Sequence, residues 1–385
     1  MKIAYIIDWN INADSGVLKK VAAKISIWES MGHEVHFCIV SCNTQNQFLP
    51  DNLHHVTVFE TPGMKWLPGA GFKKYFGRTK AFHDLSAYLR NLLVDVIYFR
   101  QTRWYFPMDS LFSSIPTIME VNSNDLSEKK LTGSKINLLI SAWGNKRLIR
   151  KIRGIVAVTE ELANLYQKES LKTVTISNGV IVKENVAEYQ KQERPQLIFV
   201  GTPGQAWHGL EKVYEMAQKL PEFVFHIVGP SKPNDINYEN IIFHGYLNAS
   251  KLGELYKTID VGIGTLSLYL KNMSEACPLK VREYLSYGIP VIVGYKDVDV
   301  DGRDFVLNIG NYEGNVTDNI EGIRSFVESF YGNRIDKSII NPLIDLNEKE
   351  KKRLTFIRDL NKSNILPKCF ILNINLEFIL IRTFI

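Results

Sequence analysis

Short runs of β-branched and aromatic residues alternate along the chain with longer stretches whose apolar positions recur every three or four residues. The first pattern reads as buried parallel strand and the second as amphipathic helix, so the alternation predicts an α/β protein. Strands are expected at Lys2–Ile7, Glu34–Val40, Val56–Glu60, Val96–Phe99, Thr117–Val121, Ile155–Val158 and Thr173–Ile176. Val17–Met31 is a helix stopped by Gly32, and Asp125–Glu128 has the character of an N-cap region opening another. A polar segment, Lys183–Arg194, closed by Pro195, breaks the rhythm. It restarts with Gln196–Val200, Phe223–Val228, Ile241–His244, Val261–Gly264 and Pro290–Val293. Two successive α/β units follow, at residues 1–181 and 196–325, with a linker at 182–195 and a helix and tail at 326–385. Ligands of such sheets collect at the carboxyl ends of the strands, so two facing units offer a cleft between them. The charged stretch Glu348–Arg353 reads as a solvated helix face without chemistry.

Composition narrows the classes. At 385 residues the chain accommodates two domains, and 45% hydrophobic with 23% charged residues is the balance of a chain that packs a core. The net charge of +5 falls far short of the density of a nucleic-acid binder, so no nucleic-acid partner is expected. Cys38, Cys42, Cys277 and Cys369 lack metal-ligand spacing and fit a reduced, cytoplasmic chain. The apolar start Ile3–Ile7 is too short for a signal segment and ends at Asp8. The tail Cys369–Ile385 comes nearest to a membrane span, but Asn373, Asn375, Glu377 and Arg382 interrupt it. The expectation is a protein that is soluble or attached peripherally to the inner membrane face.

The chemistry concentrates between Ser274 and Ile292. Pro278 suits the start of a helix and Gly288 its end, which puts the helix N-terminus just beyond the strand Val261–Gly264. Free N–H groups and the positive dipole end at that point favour a diphosphate, and Lys280 adds a full charge. Glu283 can accept hydrogen bonds from a vicinal diol such as a ribose, while Glu275 precedes the helix where an attached sugar would sit. The same residues fit an ordinary amphipathic helix with surface charges, and the pattern alone leaves the two readings level.

Glu275 and Glu283 carry the E-x7-E spacing of the retaining family 4 glycosyltransferases, and Pro278-Leu279-Lys280 through Glu283-Tyr284-Leu285 to Gly288-x-Pro290-Val291 resembles a bacterial polysaccharide-type subgroup. Asn178-Gly179-Val180 is similar to an element at the family's domain junction, with Gly179 permitting a tight turn. Ile198–Gly201 with Trp207-His208-Gly209 looks like the family's first donor-domain strand and loop, and Ser15-Gly16 like its glycine loop facing the donor. The resemblance covers about residues 1–330 and implies a GT-B fold of two Rossmann-like domains. It implies transfer of a sugar from a nucleoside-diphosphate sugar to a hydroxyl of a glycan or lipid-linked acceptor, with no metal or other cofactor. Gly16, Gly201, His208, Pro278, Leu279, Lys280 and Glu283 would bind the donor; Glu275, Lys280 and Asn122 would be catalytic. Arg100 and Glu120, at strand ends, are acceptor-side candidates. Ile320–Tyr331 is the candidate for the family's final helix, which returns across the cleft.

Two positions depart from that pattern. Thr202 and His208 stand where many members have an arginine and a lysine clamping the diphosphate; a partly protonated His208 would donate more weakly, and a packing role after Trp207 stays open. Asn122 replaces a histidine and cannot relay a proton. These departures keep open a non-catalytic subunit that binds a nucleotide-sugar without turnover, and a sugar-nucleotide epimerase remains a rival without an identified acid pair. Asp297-x-Asp299-x-Asp301 imitates a metal motif but reads as an acidic turn, and the eight histidines show no zinc-like helical spacing. Two basic aromatic stretches, Met64–Lys80 and Ile136–Arg153, have the composition of segments that lie on anionic lipid; a core-facing helix with a solvated edge is the alternative.

Overall fold

The computed structural model describes residues 1–12, 15–45, 49–50, 52–63, 70–124, 135–167, 171–182, 188–234 and 237–362. The first unit is a seven-stranded parallel sheet of β1 (Lys2–Asp8), β2 (Glu34–Ser41), β3 (His55–Glu60), β4 (Val96–Arg100), β5 (Thr117–Val121), β6 (Gly154–Ala157) and β7 (Lys172–Thr175), ordered β3-β2-β1-β4-β5-β6-β7. Helices α1 (Gly16–Ser30), α2 (Ala70–Leu92), α3 (Pro107–Ser114), α4 (Lys135–Ile149) and α5 (Glu160–Asn164) connect the strands. Alternate residues of β1 serve opposite cores. Ile3, Tyr5 and Ile7 pack with Leu18, Val21 and Trp28 of α1, whereas Ala4 and Ile6 face Phe82 and Leu85 of α2. The Ser15 side chain caps α1 by accepting from Leu18 N, and Gly32 ends it at φ 81.

The second unit repeats the plan with β8 (Gln196–Val200), β9 (Val224–Val228), β10 (Ile241–Gly245), β11 (Val261–Ile263), β13 (Val291–Val293) and β15 (Val306–Asn308), ordered β10-β9-β8-β11-β13-β15. A two-residue parallel ladder, β12 (Glu275–Ala276) with β14 (Lys296–Asp297), stands beside it. The helices are α6 (Leu210–Lys219), α7 (Ala249–Tyr256), α8 (Leu279–Ser286), α9 (Asn315–Asp318), α10 (Ile320–Phe330), α11 (Lys337–Ile344) and α12 (Leu346–Lys362). Both sheets reverse direction of winding at their first strand, so each has a switch-point crevice at its carboxyl edge.

The helix that returns to the first unit is α12, not Ile320–Tyr331. Ile323 and Val327 stay in the core of the second sheet, while Leu346, Leu354, Ile357 and Leu360 enter the core beneath α1. This corrects the solvated reading of Glu348–Arg353 on one side of the helix, while Glu348, Lys351 and Lys352 on the other are exposed. Glu350 and Arg353 are buried, with Trp28 Nε1 donating to Glu350 at 2.9 Å and Arg353 to Tyr98 Oη at 2.7 Å. The chain crosses back where Val180 N donates to Ile344 O and Leu346 N to Val180 O. A Cβ on Gly179 would lie 2.8 Å from Leu346 Cα, so this glycine is required by close backbone approach rather than by a tight turn. The N-cap region at Asp125–Glu128, residues 183–187 of the linker, residues 64–69 of the Met64–Lys80 stretch and the tail beyond Lys362 fall outside the described residues.

Candidate active site

Between the carboxyl edges of the two sheets lies a cavity of about 170 Å³. Its wall includes Asn122, Val158 and Asn178 from the first unit and Trp207, His208, Thr265, Glu275 and Pro278 from the second. The chain is built to bring them there. β5 and β6 end at the cavity, and α8 starts beside it on Pro278, whose extended backbone (φ −64, ψ 142) leaves the first helical N–H groups without a side-chain cap.

Behind Pro278, Lys280 is turned inward. Its Nζ is buried without a hydrogen-bond partner and sits 4.0 Å from the centroid of Phe199. Burial lowers its pKa to about 7. His208 stands nearby, also with a buried, unpartnered Nδ1; burial first, then Lys280 and Lys271, lower its pKa to about 3. That shift favours a neutral imidazole at ordinary pH and so the packing role for His208 over the partly protonated one, the two readings the sequence left open. Gly201 is needed here, since a Cβ would meet the Phe199 ring at 2.6 Å and His208 Nδ1 at 3.3 Å. Gly16 faces the start of α8 across the cleft, its Cβ position 3.4 Å from Leu279 Cδ1.

Glu275 is the carboxylate of the cavity wall, and it is held from both units. Its Oε2 accepts from Glu161 N at 2.9 Å, and Lys296 Nζ donates to Oε1 at 3.1 Å. In return the Glu161 carboxylate accepts from Ser274 N at 2.8 Å and Glu275 N at 2.9 Å. Asn178 Nδ2 donates to Cys277 O at 2.7 Å, and the Arg282 Nε to Asn178 O at 3.0 Å.

Asn122 is fixed from below. Lys20 Nζ, reaching up from α1, donates to Asn122 Oδ1 at 2.7 Å and Asn178 Oδ1 at 2.6 Å. Asn122 Nδ2 in turn donates to Glu120 Oε1 at 3.1 Å. Both amide oxygens therefore accept from Lys20, and each amide also has one N–H engaged, Asn122 with Glu120 and Asn178 with Cys277 O. Lys20 was not singled out from sequence, and Asn178 only as part of the junction element Asn178-Gly179-Val180; nothing in their spacing pairs them, because they meet only through the fold.

One expectation is corrected, and two other candidates lie outside the cavity wall. Glu120 is fully buried, bonded to Lys24 at 2.8 and 2.9 Å and to Tyr5 Oη at 2.9 Å, so it cannot contact an acceptor. Burial opposes its charge, but Lys24, Lys20 and Arg353 hold its pKa well below the carboxylate range. Glu283 lies outside the cavity wall, half-buried beside Tyr256. Arg100 stacks 5.8 Å over Trp9, away from the wall. Asp297 and Asp299 of the acidic turn receive the buried Arg282 guanidinium at 2.6–2.8 Å, and Asp299 also takes Lys349. At the opposite edge of the first sheet, the β2–β3 register brings Glu34, His36 and His55 within 4.8 Å, a grouping that linear spacing of the histidines conceals.

Residues 194–329, roughly a third of the chain, match the family profile described as Glycosyl transferases group 1. No curated protein matches the chain. Solved structures similar over nearly its whole length include sucrose-phosphate synthase from Thermosynechococcus elongatus, with a TM-score of 0.68 at 12% identity over 94% of this chain and 100% of that one. A lipopolysaccharide outer core galactosyltransferase gives 0.65 at 14% identity over 93% and 100%. The pneumococcal O-GlcNAc transferase in complex with UDP and GlcNAc gives 0.62 at 12% over 94% and 99%. At these identities the likeness establishes the architecture: two Rossmann-like domains facing across a cleft, the GT-B fold.

Proposed function

We propose that the chain is a glycosyltransferase, moving a hexose-type residue from a nucleoside-diphosphate sugar to a hydroxyl acceptor with retention at the anomeric carbon. The observation that carries this reading is the buried, unpartnered Lys280 Nζ behind the uncapped start of α8, two residues beyond Pro278 of the cavity wall. A cation without a partner, beside free helix N–H groups, is an arrangement completed by an anion. The group 1 match over the second domain and the UDP complex of the pneumococcal relative support a nucleoside diphosphate as that anion.

In this reading Lys280 and the α8 dipole neutralise the leaving diphosphate, with no metal called on. The bond from the anomeric carbon to the phosphate oxygen breaks as the acceptor oxygen attacks from the same face, and the acceptor's proton passes to the departing phosphate. Glu275 keeps acceptor capacity beyond its two bonds and positions sugar hydroxyls. Asn122, pinned by Lys20 and Glu120, contributes an N–H and no base. The acceptor we assign is a glycan or a lipid-linked precursor.

A second reading, a subunit that binds the donor without turnover, is favoured by the neutral His208 and by Thr202 where a clamp would need cations. Calorimetry and donor-hydrolysis assays with uridine, guanosine and adenosine diphosphates and their sugars decide between the two. Micromolar binding weakened about tenfold, or ~1.4 kcal/mol, by Lys280→Met places the site, and slow hydrolysis establishes turnover. Binding without hydrolysis or transfer supports the subunit; no binding by the wild type removes the donor-site assignment.

A further inference from the structure

We propose that the rim of the first domain is a docking surface for an anionic lipid bilayer, built by Phe106, Leu139 and Trp143 and flanked by Lys73, Lys74 and Lys146. The three apolar side chains are 69%, 70% and 51% exposed, and Phe76 nearby is 43% exposed. Leu139 and Trp143 are i and i+4 on α4, so they share one face. That face is exposed, which favours the lipid-facing reading of Ile136–Arg153 over the core-facing alternative at these two positions.

The exposed side chains rest on a base of packed aromatic rings. Trp143 packs edge-on to Trp104 with centroids 5.0 Å apart, and Arg147 lies over both rings at 4.9 and 5.2 Å. Asp109 accepts from Trp104 Nε1 at 2.9 Å and from Arg147 Nε at 2.8 Å. Tyr105, next to Phe106, stacks on Tyr75 of α2 at 5.4 Å, which brings Phe76 to the same edge. All of these residues follow the carboxyl ends of β3, β4 and β5, the edge of the sheet where the cleft opens. Large apolar groups gathered at one end of a domain and ringed by polar residues mark an interaction surface.

Charge identifies the occupant. Between Glu60 and Asp84 the chain has five Lys and Arg and no acid; between Glu128 and Glu160 it has eight and no acid. These two runs thus hold more positive charge than the net +5 of the whole chain. Lys73, Lys74 and Lys146 within them are exposed at this rim, whereas the exposed Arg150, Lys151 and Arg153 lead into β6 at the amino edge, where Arg153 N donates to Thr117 O. Aromatic rings at headgroup depth with lysines around them are the composition that partitions to an anionic interface. A second copy of the chain would set basic surface against basic surface and be repelled. The surface stands apart from the donor reaction; combined with it, docking would present the cleft to an acceptor held in the membrane.

The test is co-sedimentation of the full chain with vesicles of phosphatidylcholine alone and of phosphatidylcholine mixed equally with phosphatidylglycerol. The expected result is binding to the mixed vesicles that is at least about tenfold tighter than to neutral ones and falls as salt is raised. Phe106→Ser/Leu139→Ser/Trp143→Ser should lose roughly tenfold or more in partitioning while keeping the wild-type melting transition. Lys73→Gln/Lys74→Gln/Lys146→Gln should lose the preference for anionic lipid. Should the apolar variant not fold, hydrogen exchange on the wild type decides, with α2 and α4 expected to gain protection when mixed vesicles are added. No binding, equal binding to both vesicles, unchanged variants, or self-association abolished by the apolar variant without vesicle binding would each overturn the proposal.

Discussion

Lys280 illustrates how much a single buried amine decides. With no hydrogen-bond partner and only the Phe199 face beneath it, the amine carries a cost of the ~1–3 kcal/mol typical of an unsatisfied buried polar group. Its pKa of about 7 in the free protein must rise when an anion pairs with it. Affinity for a nucleoside diphosphate should therefore be full below pH 7 and fall by about tenfold per pH unit above it, until the pKa of the complex is reached. Calorimetry between pH 6 and 9, corrected for titration of the ligand, checks this; a flat profile would mean the amine is charged throughout. The same lowered pKa has the opposite sign for folding. The folded chain binds fewer protons than the unfolded one between about pH 7 and 10.5, so the cost of burying the amine is full below pH 7 and vanishes as pH rises past 10.5. Lys280→Met should then melt several degrees higher at pH 6 while losing diphosphate affinity, read by calorimetry on both counts. The sequence exposed the residues at the mouth of the site (Glu275, Pro278, His208 and Asn122) because they follow strands or open a helix. It misassigned Glu120, which lies on the same strand face as Asn122 but one pleat deeper. Two lysines from α1 close over it there, and no linear spacing reports that.

At the scale of elements, α8 joins the domains through Arg282, a residue to which the sequence reading gave no role. The guanidinium is fully buried, donates to Asp297 at 2.8 Å twice and to Asp299 at 2.6 Å, and reaches the first domain at Asn178 O. Removing one partner of such a set leaves an uncompensated buried charge, typically a loss of 3–5 kcal/mol. Arg282→Ala should show that loss in urea unfolding. Arg282→Lys should recover little of it, because an ammonium cannot reproduce the two-pronged geometry. Full stability in the lysine variant would show that charge, not the fork, holds α8 in place. Strands of the two sheets were legible to within a residue or two because buried parallel strands are uninterrupted apolar runs. The edge strand Val306–Asn308 and the Glu275–Ala276 ladder were too short to leave a pattern. Helix α12 was misread for a physical reason: Glu350 and Arg353 satisfy each other and Trp28 inside the core, so charge in the sequence did not mean exposure.

Across the whole molecule, the cleft is nearly shut. Its cavity of about 170 Å³ is short of the roughly 300–1,000 Å³ usual for ligand pockets, so a nucleotide-sugar requires the domains to part. What resists parting at the mouth is the reciprocal pair of Glu161 and Glu275, each carboxylate accepting from the other's backbone. The crossing of residues 180 and 344–346 gives a natural hinge, since two backbone bonds join the chain segments there. Glu161→Ala removes the carboxylate that accepts from Ser274 N and Glu275 N, and leaves both donors near solvent where water can replace it. Hydrogen bonds to a charged group contribute about 1.5–3 kcal/mol each, and their loss should move the domains toward an open population. Small-angle scattering should then give a larger radius of gyration for the ligand-free variant than for the wild type. An unchanged radius in the ligand-free variant would shift the closing force to Arg282 and to α12, whose core contacts the substitution leaves intact.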